Sequence, residues 1–115
     1  MIATAPIARA LALAGTHTAA DIAEGVAAGR YQEWANDDTV VITEVLVTPL
    51  RKTLHFFLAE GSMPELQAMV PHILDWGRAM GCSHASLVGR HGWSRVGWLA
   101  EAGWQEEGVM MGRAL

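Results

Sequence analysis

The chain has 115 residues, 51% of them hydrophobic and 17% charged, with a net charge of −4. That length holds one domain and no more, and the apolar content excludes a disordered chain. The acidic balance argues against general nucleic-acid affinity, and a single cysteine, Cys82, excludes an internal disulfide.

Residues 2–14 read as a helix, with Ile7, Leu11 and Ala14 on one face and Gly15 as its stop. Thr18 caps a second helix over about 19–29, with Asp21 completing a capping box and Gly29 ending it. Residues 39–48 are β-branched and read as the first strand. Pro49 to Lys52 form a turn, and residues 53–60 return as an antiparallel strand. Strict alternation puts Leu54, Phe56 and Leu58 on one face and His55, Phe57 and Ala59 on the other. Both faces are apolar, so this strand is expected in the middle of the sheet, covered on both sides.

Ser62-Met63-Pro64-Glu65 is a helix start with its own cap. Leu66, Val70, Ile73, Leu74 and Met80 carry the apolar stripe, and Pro71 is expected to kink or split the helix before Gly81 closes it. Residues 84–89 form a short strand, whose order after strand and helix implies parallel pairing with 53–60. Residues 92–102 read as an amphipathic helix ended by Gly103, and Val109, Met111, Arg113 and Leu115 alternate as a final strand. The fold class is α/β (α+β), with a mixed central sheet flanked by helices.

Candidate chemistry is sparse. The five histidines and Cys82 lack metal-site spacing, so no metal is expected. No apolar run approaches the roughly 18 residues of a membrane span. The apolar start lacks a preceding basic region, so no signal peptide is expected. Charge is uneven: between residues 21 and 44, Asp21, Glu24, Glu33, Asp37, Asp38 and Glu44 stand against Arg30 alone. Arg78, Arg90 and Arg95 gather later with His84 and His91, which reads as a local anion site or as an ordinary solvated surface. Of the five tryptophans, Trp98 falls opposite the Val96/Ala100 stripe and is expected to face outward near Arg95 or Trp34. Arg90, Arg95 and Trp98 are thus the candidate interaction residues.

The stretch from Gly81 to Trp104, ending in the pair Gly103-Trp104, resembles the corresponding part of the GNAT (N-acetyltransferase) fold. The string Gly89-Arg90-His91-Gly92-Trp93-Ser94-Arg95-Val96, with Tyr31-Gln32-Glu33-Trp34 and Val41-Ile42-Thr43-Glu44, resembles short GNAT-like proteins of bacteriophages. The resemblance covers about residues 18–115 and implies one truncated GNAT-like domain with 1–17 as an N-terminal extension. It implies a cleft where strands 53–60 and 84–89 splay, with Phe57, Ala59, Gly61 and Ser62 as the positions that would hold acyl-CoA. It also points to Glu44 or Glu60 as the general base, either of which would need a raised pKa.

Two departures stand out. GNAT enzymes grip the pyrophosphate with a basic, glycine-rich loop; here it reads Glu60-Gly61-Ser62-Met63-Pro64-Glu65, with one glycine and no cation. The position of the family's tyrosine acid is Leu99, and the asparagine that opens that helix is Gly92. Two readings follow. One is a phage or prophage GNAT-like domain without turnover, virion-associated or cytoplasmic, needing no cofactor and engaging a phage or host protein or a second copy. The other is an acetyl-CoA-dependent N-acetyltransferase acting on an unknown amine, with a CoA sensor without turnover as a weaker variant.

Overall fold

The computed structural model describes residues 15–89 and 96–115. The helix expected over 2–14 lies outside them, as do Arg90 and Arg95. The elements in chain order are α1 (Ala19–Ala27), β1 (Tyr31–Ala35), β2 (Val40–Thr48), β3 (Arg51–Glu60), α2 (Met63–Ala79), β4 (His84–Leu87) and α3 (Gly97–Glu101). The strands make one sheet in the order β1-β2-β3-β4, antiparallel except for the parallel β3–β4 pair across α2.

Both long helices start where side chains supply the missing acceptors. Thr18 accepts from the Asp21 amide at 3.2 Å while the Asp21 carboxylate accepts from the Thr18 amide at 2.8 Å. Those bonds hold the Asp21 carboxyl below its ordinary range, chiefly through the Thr18 backbone amide. Ser62 caps α2 by accepting from the Glu65 amide at 3.3 Å.

The sheet separates two apolar layers. On one face α1 contributes Ile22, which packs with Val40, Ile42 and Leu58. Tyr31, Val26 and Phe57 close that layer at its edge. Gly25 lets α1 approach so closely that an added Cβ would lie 2.2 Å from the Tyr31 ring. On the other face Leu66, Val70 and Ile73 of α2 cover Val41, Leu54 and Phe56. β3 is therefore covered on both faces, as its sequence predicts.

Four expectations are corrected, and a fifth lies partly outside the described residues. Tyr31–Ala35, read as lying ahead of the first strand, is itself an edge strand; Gln32 and Glu33 interrupt its apolar pattern, and pairing with segment 40–44, buried over 40–43, holds it there. Pro71 does not split α2, because it stands on the exposed side and disturbs only a solvent-facing turn. The strand expected at 104–115 does not form; Gly108 and Gly112 weaken the alternation, and Val109, Met111 and Leu115 stay exposed. Of the helix expected over 92–102, the described part is Gly97–Glu101. Alternation along β3 also fails at one point: the register slips between Ile42 and Thr43, so that Phe56 pairs with Thr43 and Leu58 with Ile42. Phe57 is the extra residue of this bulge. Phe57 and Leu58 consequently both face α1, and Ala59 joins Leu54 and Phe56 on the α2 face.

Candidate functional site

The bulge lies where β3 and β4 part. Parallel pairing runs from Thr53↔His84 to Phe56↔Leu87 and stops, while β3 continues through Phe57 to Glu60. A bulge bends and twists its strand, so the extra residue and the end of the pairing fall together. Among the described residues the β3–β4 register thus ends at Phe56↔Leu87. Of the sequence candidates, Phe57 and Ala59 flank this opening on opposite faces of the sheet. Gly61 and Ser62 follow at the entrance to α2.

That entrance is closed from within by Thr39, which is fully buried. The Thr39 Oγ1 accepts from the Ser62 amide at 3.1 Å and donates to the Glu65 carboxylate. Gly61 presses against the same residue: a Cβ on it would lie 2.5 Å from the Thr39 Cα. The N-terminus of α2 therefore has a carboxylate of its own beside it, the Ser62 N–H engaged, and Pro64 without an N–H at all.

The two candidate bases are not brought together. Glu60 ends β3 opposite Val40, whereas Glu44 lies four residues along β2 opposite His55, a separation of about 13 Å along the strand. Glu44 belongs to a row with one residue from every strand: Tyr31, Glu44, His55 and Ser86 are successive register partners. The His55 Nδ1 and Ser86 Oγ lie 2.8 Å apart. Burial of the His55 ring pushes its pKa below the ordinary histidine value, with the Glu44 carboxylate opposing the shift.

This row gives a pH prediction. With its folded pKa depressed, His55 folds best as the neutral ring. Its contribution is present above the unfolded value of about 6.5 and is lost as pH falls through 6.5 toward the folded pKa. Urea midpoints measured between about pH 8 and pH 5 are expected to fall with acidification, and His55→Gln to flatten that slope. An unchanged slope in His55→Gln would remove His55 as its source.

Trp98 corrects another expectation. It does not face outward; it packs against the α2-face core, and its Nε1 is buried without a hydrogen-bond partner. Trp104 lies beside it in the same layer, edge-on to Phe56 at 5.6 Å. Leu99, at the position of the family's tyrosine, is buried. Sequence reading missed three residues: Thr39, His55 and Ser86. Their available signal was a polar residue inside an apolar strand, as at His55 between Leu54 and Phe56. Among the described residues no group of three His, Cys, Asp or Glu could hold a metal ion, and no helix is long and apolar enough to cross a membrane.

No protein-family model matches the chain, and no curated protein matches its sequence. Solved structures do match. A tetramutant of the BH1408 protein of Bacillus halodurans aligns with a TM-score of 0.68 at 13% identity, covering 87% of this chain and 76% of that one. A probable acetyltransferase aligns at 0.60 and 9% identity, covering 93% and 84%. Glucosamine-6-phosphate N-acetyltransferase of Arabidopsis thaliana aligns at 0.54 and 17% identity, covering 66% of this chain and 56% of its own length. The fold is GNAT-like. The low identities show the architecture alone, a mixed sheet flanked by helices.

Acyl-CoA is what the resemblance would imply, and the residues at the α2 entrance do not fit its pyrophosphate. Helix N-termini hold phosphate with free N–H groups and positive charge. Here the Ser62 N–H is engaged by Thr39, Pro64 supplies none, and Glu65 adds like charge.

Proposed function

We propose that this GNAT-like domain works by binding a protein partner and not by acyl transfer. The observation that carries the reading is the α2 entrance, where Thr39 and Glu65 take the place of an anion. Leu99, standing where the family keeps its tyrosine acid, supports it. The resemblance of residues 89–96 to phage proteins supports its finer form, a component of a phage particle or a factor that engages a host protein. The net charge of −4 favours a protein over nucleic acid as the partner.

A second reading, an acetyl-CoA-dependent N-acetyltransferase, is favoured by one observation: β3 and β4 part at a bulge, as a GNAT cleft requires. Calorimetric titration of acetyl-CoA into the protein separates the two. We expect no saturable heat up to about 1 mM cofactor, a level that corresponds to roughly 4 kcal/mol of binding. Saturation at micromolar concentrations would sink the binding-only reading and make an acceptor-amine screen the next step.

A further inference from the structure

Charge is distributed along the strand axis. At one end of the sheet the β1–β2 turn carries Asp37 and Asp38, both exposed. The turn is braced from inside: the Asn36 amide donates to the Thr39 carbonyl at 2.8 Å, and the Asp37 amide to the Asn36 side chain at 3.0 Å. It is therefore a preformed acidic projection. At the opposite end of the same strands lies an open depression of about 480 Å³, lined by Arg30, Gln32, Lys52 and Trp76 among others. Glu44 is the one acidic residue in that lining. Lys52 is tethered by a bond to the Met80 carbonyl, at the C-terminal end of α2. The tether fixes the ammonium in place, and its remaining donors are not used by that bond.

The projection and the depression cannot meet within one molecule. Seven residues of extended chain separate Arg30 from Asp37, about 20 Å. They are complementary in charge, and they stand at opposite ends of β1. We infer that the depression receives the Asp37–Asp38 turn of a second copy of this chain, so that molecules associate head to tail along the strand direction. The contact joins two different surfaces, so it does not close on itself as a twofold dimer does; each added molecule exposes a fresh depression and a fresh turn. Cation–carboxylate pairing drives it, which makes it sensitive to salt. The Trp76 indole gives the depression an apolar part. This inference stands apart from the proposed function, because acetyl-CoA titration has the same outcome whether or not the protein self-associates.

Sedimentation velocity tests it, on protein from about 10 µM to 1 mM, first near 50 mM and then near 500 mM salt. The wild type is expected to show a concentration-dependent series beyond dimer at low salt, with association weakened about tenfold or more at high salt. Asp37→Asn/Asp38→Asn removes the turn's charge, and Arg30→Gln/Lys52→Gln removes that of the depression. Each double variant is expected to be monomeric. An equimolar mixture of the two is expected to form a dimer that grows no further, because only one intact turn and one intact depression remain per pair. Circular dichroism confirms that each variant is folded. Where the loss of the Lys52 tether unfolds the second variant, Arg30→Gln alone takes its place. A wild type that is monomeric throughout at low salt overturns the inference. So does assembly that survives in either folded variant, or a mixture that stays monomeric or grows beyond two.

Discussion

Gly61→Ala is expected to destabilise the folded domain by about 2–5 kcal/mol, combining strained backbone with overpacking. Gly61 has φ +135°, a conformation that residues with a side chain rarely adopt. The added methyl would also lie 2.5 Å from the Thr39 Cα and 2.4 Å from its Oγ1. Thr39 cannot yield, because it leads into buried β2 and holds both Ser62 and Glu65. Urea unfolding should show a lower midpoint with an unchanged slope. The result bears on function as well as stability. A Gly61→Ala protein within about 0.5 kcal/mol of wild type, the range of ordinary surface changes, would mean that the loop is not seated on Thr39. The case for a closed α2 entrance would go with it.

Ile42→Ala is expected to cost a similar amount, about 2–5 kcal/mol, as lost transfer energy plus the cavity left behind. Ile42 is wholly buried and sits opposite Leu58 at the bulge, in the layer beneath α1. Small domains have roughly 5–15 kcal/mol in all, so the change takes a large share. Val47→Ala, on a residue 75% exposed in the same strand, serves as the control and should shift the midpoint little. Equal effects at the two positions would show that the α1 layer is not part of the cooperative core.

Much of the fold was legible because short-range chemistry decides it. The capping residues Thr18 and Ser62, the hairpin after Thr48 and the two-sided covering of strand 53–60 each follow from what the sequence states, although the turn is only Pro49-Leu50 and Arg51 and Lys52, expected in it, already pair with β2. The illegible parts depend on partners far along the chain. Tyr31–Ala35 becomes a strand because buried β2 offers it an edge, whereas 104–115, with better alternation, finds none among the described residues. Trp98 was read from the wheel of its own helix, but the core it joins is built by α2 and β3. The candidate site divides in the same way. The missing glycines and cations of the 60–65 loop are visible in sequence, while the part played by Thr39, more than twenty residues earlier, emerges only when β2 and α2 meet. Glu44 was singled out alone; its neighbours His55 and Ser86 are set by strand register.

The bulge has a further meaning in genetic terms. Without Phe57, the remaining residues of β3 would alternate strictly while keeping the faces they now hold: Leu54 and Phe56 toward α2, Leu58 toward α1, Ala59 toward α2. The facing of the other core residues is therefore indifferent to the extra codon, which adds only the Phe57 ring at the layer's edge beside Tyr31, and the bend at the end of β4 pairing is not. Gain or loss of a single codon at this point can open or flatten the cleft without rewriting the hydrophobic code around it, so architecture and opening are free to evolve separately.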